Sequence, residues 1–196
     1  AHRVLDYLSA TQESDGHWPQ NMWLDGSAYW SGLQLDEAAL PILLLDLLMR
    51  EDGLSLPDVE RMWPCMRRAA SFIVRNGPGT EQDRWEEHAG LSPFTLGAEI
   101  AALRTAAHLA ERQGEMELAQ YLRETADGWN DNVERWTYAT DTALARQLGI
   151  DGYYVRIAPL NVETAASPRE GFVPIKMTTA ERYGESSMVV SPDALA

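Results

Sequence analysis

The sequence predicts an all-α protein, part of an α/α toroid in which an inner ring of helices lies inside an outer ring. Two observations lead there. Helices that are apolar almost all round alternate with helices that are apolar along one stripe. Long loops alternate with short ones in the same rhythm.

The elements follow in order. Residues 1–12 read as a helix with Val4, Leu5 and Leu8 on one face. Residues 13–33 read as a long loop, because Gly16, Pro19, Gly26 and Gly32 break any period. From Leu35 to Arg50 the apolar positions circle the helix, so burial is expected on nearly every side. Pro41 should kink this helix or mark its first turn. A short link, 51–56, leads to Pro57, which suits the first position of a helix over 57–76. Its stripe is Val59, Met62, Met66, Ala70 and Ile73, with Arg61, Arg67, Arg68 and Arg75 for the solvated side.

A second long loop covers Gly77 to Ser92. The helix from Pro93 to Arg112 is apolar around much of its circumference, mostly through alanine. A turn at Gln113-Gly114 opens a helix over 115–135 with the stripe Leu118, Leu122, Thr125, Trp129 and Val133. Residues 137–190 read as irregular, with a short strand over Tyr153–Ile157. Ser191-Pro192-Asp193 is a helix-start signal.

Short connections set neighbouring helices antiparallel, so the long loops should emerge together at one end. No strict sequence repeat accompanies the pattern. About five to six helices of a ring are present, so residues 1–196 are expected to be part of a single domain, truncated at both ends. The wrapped helices 35–50 and 93–112 would then lack ring neighbours. Made alone, the chain is expected to aggregate, to self-associate, or to need further chain to cover them.

Composition removes several function classes. Sixteen Lys and Arg against thirty Asp and Glu give a net charge of −14, which disfavours nucleic acid and anionic membranes as partners. A single cysteine, Cys65, leaves no internal disulfide and no Cys-cluster metal site. The four histidines lack ligand spacing, and no phosphate-binding loop or nucleophile elbow is present, so neither metal nor cofactor is expected. The longest apolar run, Ala38 to Leu45, is too short to span a bilayer. No signal segment opens the chain, which leaves the compartment open between cytoplasm and exterior.

The two long loops carry an unusual cargo. The first holds His17, Trp18, Gln20, Asn21, Trp23, Asp25, Tyr29 and Trp30, and runs into Gln34-Leu35-Asp36-Glu37. The second holds Asp83-Arg84-Trp85-Glu86-Glu87-His88. Aromatic rings among carboxylates and amides suit a sugar site. Pyranose faces stack on Trp and Tyr, and hydroxyls take the hydrogen bonds. A carboxyl beside a Trp in a dry site has a raised pKa, so it can protonate a glycosidic oxygen. The same loops would serve a non-catalytic carbohydrate-binding or scaffold α/α repeat. Toroidal terpene cyclases and prenyltransferases also use acidic aromatic cavities, but would want an Asp-rich or zinc motif.

His17-Trp18-Pro19-Gln20-Asn21-Met22-Trp23-Leu24-Asp25-Gly26 with Tyr29-Trp30, then Gln34-Leu35-Asp36-Glu37 and Asp83-Arg84-Trp85-Glu86-Glu87, resemble glycoside hydrolase family fifteen, the glucoamylases and bacterial glucodextranases. Gly152-Tyr153-Tyr154-Val155-Arg156 and Gly171-Phe172-Val173-Pro174-Ile175 resemble it more loosely. The resemblance implies an (α/α)6 barrel and an inverting exo-hydrolase that releases glucose from the non-reducing end of α-glucan oligosaccharides or polysaccharides. It implies Glu86 as the general acid. Trp85 and Glu87 would line the glucose subsite, Asp36 would hydrogen-bond its hydroxyls, and Trp23, Tyr29 and Trp30 would add substrate contacts. Leu35 stands where fungal members carry Arg. The family's general base lies in a later loop, expected beyond Ala196, and none of Glu163, Glu170, Glu181 or Glu185 sits in a matching motif. The chain alone is therefore expected to be an inactive piece of a catalytic domain.

Overall fold

The computed structural model describes residues 2–30 and 32–160, and the backbone of 173–174 and 188–189. The signal at Ser191 and the four glutamates from Glu163 to Glu185 lie outside the described residues.

Helix α1 (His2–Thr11) buries Leu5 fully, while Val4 stays half exposed. The loop after it contains a small hairpin, β1 (Asn21–Met22) with β2 (Ala28–Trp30), pairing Asn21 with Trp30. Strands of two and three residues are too short to show a period of two, so the sequence pattern could not reveal them.

Helices α2 (Leu35–Arg50), α3 (Leu56–Asn76) and α4 (Pro93–Arg112) fall where the apolar patterns place them. Pro41 lies inside α2. A capping box starts α3: Ser55 Oγ accepts from the Asp58 N–H and Asp58 Oδ2 accepts from the Ser55 N–H. Ser92 caps α4 by accepting from the Thr95 N–H. All five stripe residues of α3 are buried. Its arginines tie outward: Arg61 to Asp6 at 2.7 Å, Arg67 to Glu115 at 2.8 Å, and Arg75 to the Asp15 carbonyl at 2.8 Å.

The expected helix 115–135 is two helices, α5 (Met116–Asn130) and α6 (Val133–Thr137). The break falls at Asp131-Asn132, whose short polar side chains compete for backbone hydrogen bonds and favour helix ends. Two further elements escaped the pattern. Strand β3 (Tyr138–Thr140) pairs antiparallel with β4 (Gly152–Tyr154), shorter than the expected 153–157. Between them lies α7 (Ala143–Leu148), capped by Thr142 and closed by Gly149 at φ 66°. Strands β5 (Val173–Pro174) and β6 (Met188–Val189) also pair antiparallel.

The packing is that of two α/α hairpins side by side. Helix α2 packs on α3 and on α4, and α4 packs on α5. Helices α1 and α5 each touch α3. Helices α2 and α4 thus form the inner layer, with α1, α3 and α5 outside. The core runs through Leu35, Ile42, Leu45, Met62, Met66, Ile73 and Leu103. A smaller cluster of Leu91, Leu96, Trp136, Ala139, Val155 and Ala158 fastens β3 and β4 to the start of α4.

Burial of α2 is one-sided. Leu35, Ala38, Ala39, Ile42 and Leu45 are buried, but Leu40 and Leu47 are 47% and 48% exposed. Beside Leu40 a groove of about 670 Å³ opens, lined by Leu43, Phe94, Ala98, Ala101 and Tyr154 among others. Among the described residues no helix is long and apolar enough to cross a membrane.

Candidate active site

The site is built on the loop 77–92, which is fixed at three levels. Its ends are closed by backbone pairs, Thr80 with Gly90 at 2.9 and 3.0 Å, and Leu91 with Ala158 at 2.8 and 2.9 Å. Gly90 is required there: its φ is 154°, and a Cβ would stand 2.3 Å from the Ala158 carbonyl oxygen. The loop is also stitched to the start of α2. Leu35 N–H donates to Thr80 Oγ1 at 3.3 Å and Gln82 N–H to the Leu33 carbonyl at 3.2 Å.

The third level is Asp83, only 1% exposed. Its Oδ1 accepts from the Glu87 and His88 N–H groups at 3.0 and 3.4 Å, and its carbonyl accepts from the Glu86 N–H at 2.7 Å. Its Oδ2 accepts from Arg156 Nε at 2.7 Å, and Arg156 Nη2 donates to Glu87 Oε2 at 2.9 Å. All three side chains are at most 5% exposed. Burial alone would lower the pKa of Arg156. The hydrogen bonds it donates to Asp83 and Glu87, with their charges, outweigh it and hold the guanidinium above its ordinary value.

This clamp carries Trp85 and Glu86 on its outer side. Trp85 is 52% exposed and Glu86 is exposed. Arg84 lies with its guanidinium carbon 4.6 Å from the Phe94 ring centroid and 5.9 Å from that of Trp85. Glu86 has φ 62°, the left-handed region that costs a side-chain-bearing residue about 1–2 kcal/mol. The bonds of Asp83 on either side over-determine that conformation, and strain of this kind concentrates at functional positions.

Beneath the loop lie acids from the helices. Asp36, in the first turn of α2, is 5% exposed and accepts from Thr95 Oγ1 at 3.1 Å. Burial, with repulsion from Asp83, raises its pKa against the opposing pull of Thr95 and Arg84. Glu37 beside it is pushed up to about 7 by burial and by the charges of Asp36 and Glu86. Glu99, on α4, is fully buried with neither oxygen hydrogen-bonded, and burial and Asp36 hold its pKa far above the usual carboxylate range.

The hairpin supplies the aromatic residues. Trp23 and Tyr29 meet edge to face, with ring centroids 5.1 Å apart and an interplanar angle of 83°. They are 58% and 68% exposed, and Trp30 is 51% exposed. Trp30 approaches the loop over Gly32. A Cβ there would stand 2.4 Å from Trp30 Nε1, 2.5 Å from Gln82 Oε1 and 2.9 Å from Gln20 Oε1.

Of the residues singled out in the sequence, the fold gathers Asp36, Trp85, Glu86 and Glu87 at one junction, with Trp30 at its edge. Trp23 and Tyr29 form their own pair on the hairpin. Glu87 is turned inward onto Arg156. Trp18 is a packing residue: it is 4% exposed and its Nε1 donates to the Leu8 carbonyl at 2.9 Å. Sequence reasoning gave no role to Arg156, Asp83, Glu37 or Glu99. The signal for Arg156 was its place at the end of a Tyr-Tyr-Val-Arg strand. A glutamate at 99 in an otherwise alanine-rich inner helix was also legible.

Residues 11–183 match the profile of glycosyl hydrolases family 15. The chain belongs to glycosyl hydrolase family 15. A glucoamylase of Clostridium sp. (strain G0005) is 42% identical over 160 residues, which cover 82% of this chain and 21% of that protein. An uncharacterized glycosyl hydrolase of Methanocaldococcus jannaschii is 27% identical over 134 residues, or 67% of this chain and 20% of that protein. The crystal structure of a bacterial glucoamylase complexed with acarbose superposes with a TM-score of 0.72 at 38% identity, over 89% of this chain and 23% of that one. The chain thus spans about a fifth of the length of these family 15 relatives. The expected fold class holds: an all-α, incomplete toroid of the (α/α)6 type.

Proposed function

We propose that the protein acts as an inverting, exo-acting α-glucoside hydrolase, releasing glucose from α-glucan oligosaccharides or polysaccharides with Glu86 as general acid. The observation that carries the reading is the clamp of Asp83, Arg156 and Glu87, which holds Trp85 and Glu86 outward at the junction with Asp36. Family membership and the acarbose-bound glucoamylase support the substrate class.

In this mechanism Glu86 gives its proton to the glycosidic oxygen as the bond from that oxygen to the anomeric carbon breaks. Water attacks the opposite face of the sugar and passes its proton to a general base. Inversion places the two carboxyl groups ~6.5–9.5 Å apart, leaving room for that water. Asp36 hydrogen-bonds hydroxyls of the released glucose, Trp85 and Glu87 line its subsite, and Trp23, Tyr29 and Trp30 receive the rest of the glucan.

Residues 1–196 on this reading are part of a single (α/α)6 catalytic domain, and the base comes from another part of it. The open groove beside Leu40 and the length of the relatives support that division. Light scattering tests it: a monodisperse 21.9 kDa monomer with one sharp unfolding transition would overturn it.

The activity is tested in the full-length protein. Glu86→Gln should lower turnover by ~10²–10⁴-fold with substrate affinity retained. Near wild-type turnover sinks the assignment. Proton NMR of the first-formed anomer should give β-glucose, and α-glucose would exclude inversion. A non-catalytic binding role would replace this reading if Trp85→Ala with Trp23→Ala abolished glucan binding while no length of the protein hydrolysed glucan.

A further inference from the structure

Three polar side chains from three segments meet over Gly32. The point a Cβ would take there lies 2.4 Å from Trp30 Nε1, 2.5 Å from Gln82 Oε1 and 2.9 Å from Gln20 Oε1. The backbone brings them together. Asn21 pairs with Trp30 across the hairpin, which sets Gln20 at the foot of the strand facing Trp30. Gln82 donates its N–H to the Leu33 carbonyl at 3.2 Å, which sets the acidic loop beside residue 32. Gly32 has no left-handed φ, so crowding rather than backbone conformation excludes a side chain.

The amides are close to one another yet unbonded. Gln82 Oε1 and both amide atoms of Gln20 are buried with no hydrogen-bond partner. Buried amides are normally paired, because an unpaired one loses its water without replacement. The Trp30 ring is 51% exposed, while its Nε1 edge adjoins the amides. The indole therefore stands between them and water.

The set of groups selects the ligand. Gln20 Nε2 and Trp30 Nε1 donate, and Gln20 Oε1 and Gln82 Oε1 accept. An anion offers acceptors only and would meet two carbonyl oxygens. A cation would meet two N–H groups. Neighbouring hydroxyls of a sugar both donate and accept. Turning the Gln20 amide over exchanges its two atoms and leaves the set mixed.

We propose that Gln20 and Gln82 form a hydroxyl-recognition subsite for the sugar on the leaving side of the cleaved bond, with Trp30 as its lid. The indole covers the amides in the free protein and swings off them when glucan binds. This rests on the reading of the protein as an α-glucoside hydrolase. On that reading Asp36, Trp85 and Glu87 hold the released glucose, which leaves the edge of the junction, where Trp30 sits, for the next sugar. The closed form leaves its own amides unpaired, so little holds the lid down. A glucan that pairs them favours the open form by that difference.

The experiment compares maltose with para-nitrophenyl α-glucoside in the full-length enzyme, for wild type, Gln20→Met and Gln82→Met. Both substrates release the same glucose, but only maltose has sugar hydroxyls on the leaving side. In each variant kcat/KM should fall ~2–10-fold more on maltose than on the aryl glucoside, the worth of a neutral hydrogen bond or two. Thermal midpoints should hold or rise, because the atoms removed have no partner in the protein. Equal losses on both substrates, or none, overturn the proposal. A lowered midpoint or a failure to fold also overturns it, since the amides would then serve the fold. The lid is read separately. Maltotriose added to Glu86→Gln should shift tryptophan fluorescence, and adding Trp30→Phe should shrink the shift; an undiminished shift overturns the lid. If the wild type cleaves neither substrate, the hydrolase reading itself has failed. Calorimetry with maltotriose then decides the subsite alone: weaker binding by the Gln variants supports it, and equal binding overturns it.

Discussion

Two aspartates do the same local work in the two long loops, with different consequences. Asp25 braces the hairpin tip, its Oδ1 accepting from the Ser27 N–H at 2.9 Å and from Ser27 Oγ at 2.6 Å. Asp83 braces the acidic loop by accepting from Glu87 and His88. The hairpin brace is exposed and local, and Leu24 next to it is 99% exposed. The loop brace is buried, and its second oxygen is held by an arginine from far along the chain. The difference suits the chemistry proposed for each side. An aromatic platform would tolerate movement, because stacking on a sugar ring is broad in geometry. A proton donor would not, because a misplacement of ~1 Å can cost ~10²-fold in rate.

The sharpest way to break the contrast is to remove the clamp. Arg156→Met leaves Asp83 and Glu87 buried without their cation, and should destabilise the protein by ~3–5 kcal/mol in denaturant unfolding. Turnover should fall with it. An unchanged midpoint would mean that the loop does not depend on this pair.

Next in size is Glu99, whose two buried oxygens have no hydrogen-bond partner. Glu99→Met should raise stability at neutral pH by ~1–3 kcal/mol, since it removes polar atoms that have no partner. A loss of stability would mean that Glu99 is satisfied in solution.

A pH scan adds a smaller effect. Glu37 titrates near 7 when folded and near 4.5 when unfolded, so the folded state holds the extra proton between those values. Stability on its account is greatest below pH 4.5 and is lost as pH rises toward 7. Glu37→Gln should flatten that slope in thermal unfolding, and an unaltered slope would place the titration elsewhere.

Smallest is the hairpin. Trp23→Ala should change stability by no more than about 0.5 kcal/mol, because half of the ring already faces water. Affinity for long α-glucans should nevertheless drop measurably by calorimetry. A large loss of stability would make Trp23 a structural residue.

The helices were legible because each rests on a local signal. Ser55-Leu56-Pro57-Asp58 opens α3 and Ser92-Pro93 opens α4, and apolar spacing sets their lengths. The hairpin, α7 and the break at Asp131-Asn132 were not, since each is decided over a few residues with no periodicity. In the site, Trp85 and Glu86 stood out through their neighbours in sequence. Arg156 did not, because its partners are brought to it only by the fold. Glu37 reads as an ordinary helix-start acid, and only the fold shows its Oε2 buried without a hydrogen-bond partner.

The span between the two halves of the clamp also sets an order of assembly. Arg156 comes 73 residues after Asp83 and 69 after Glu87. At ~5–20 residues per second of synthesis, that gap lasts roughly 4–14 s. Through that interval α2, α3 and α4 can form and pack from their local contacts, while Asp83 and Glu87 must stay hydrated as lone charges. Only when the stretch after β4 emerges, with Val155 bonded to Thr137 and Ala158 to Leu91, is the arginine there to pair with both carboxylates. The ion pairs that fasten the acidic loop therefore cannot close until that stretch has been made.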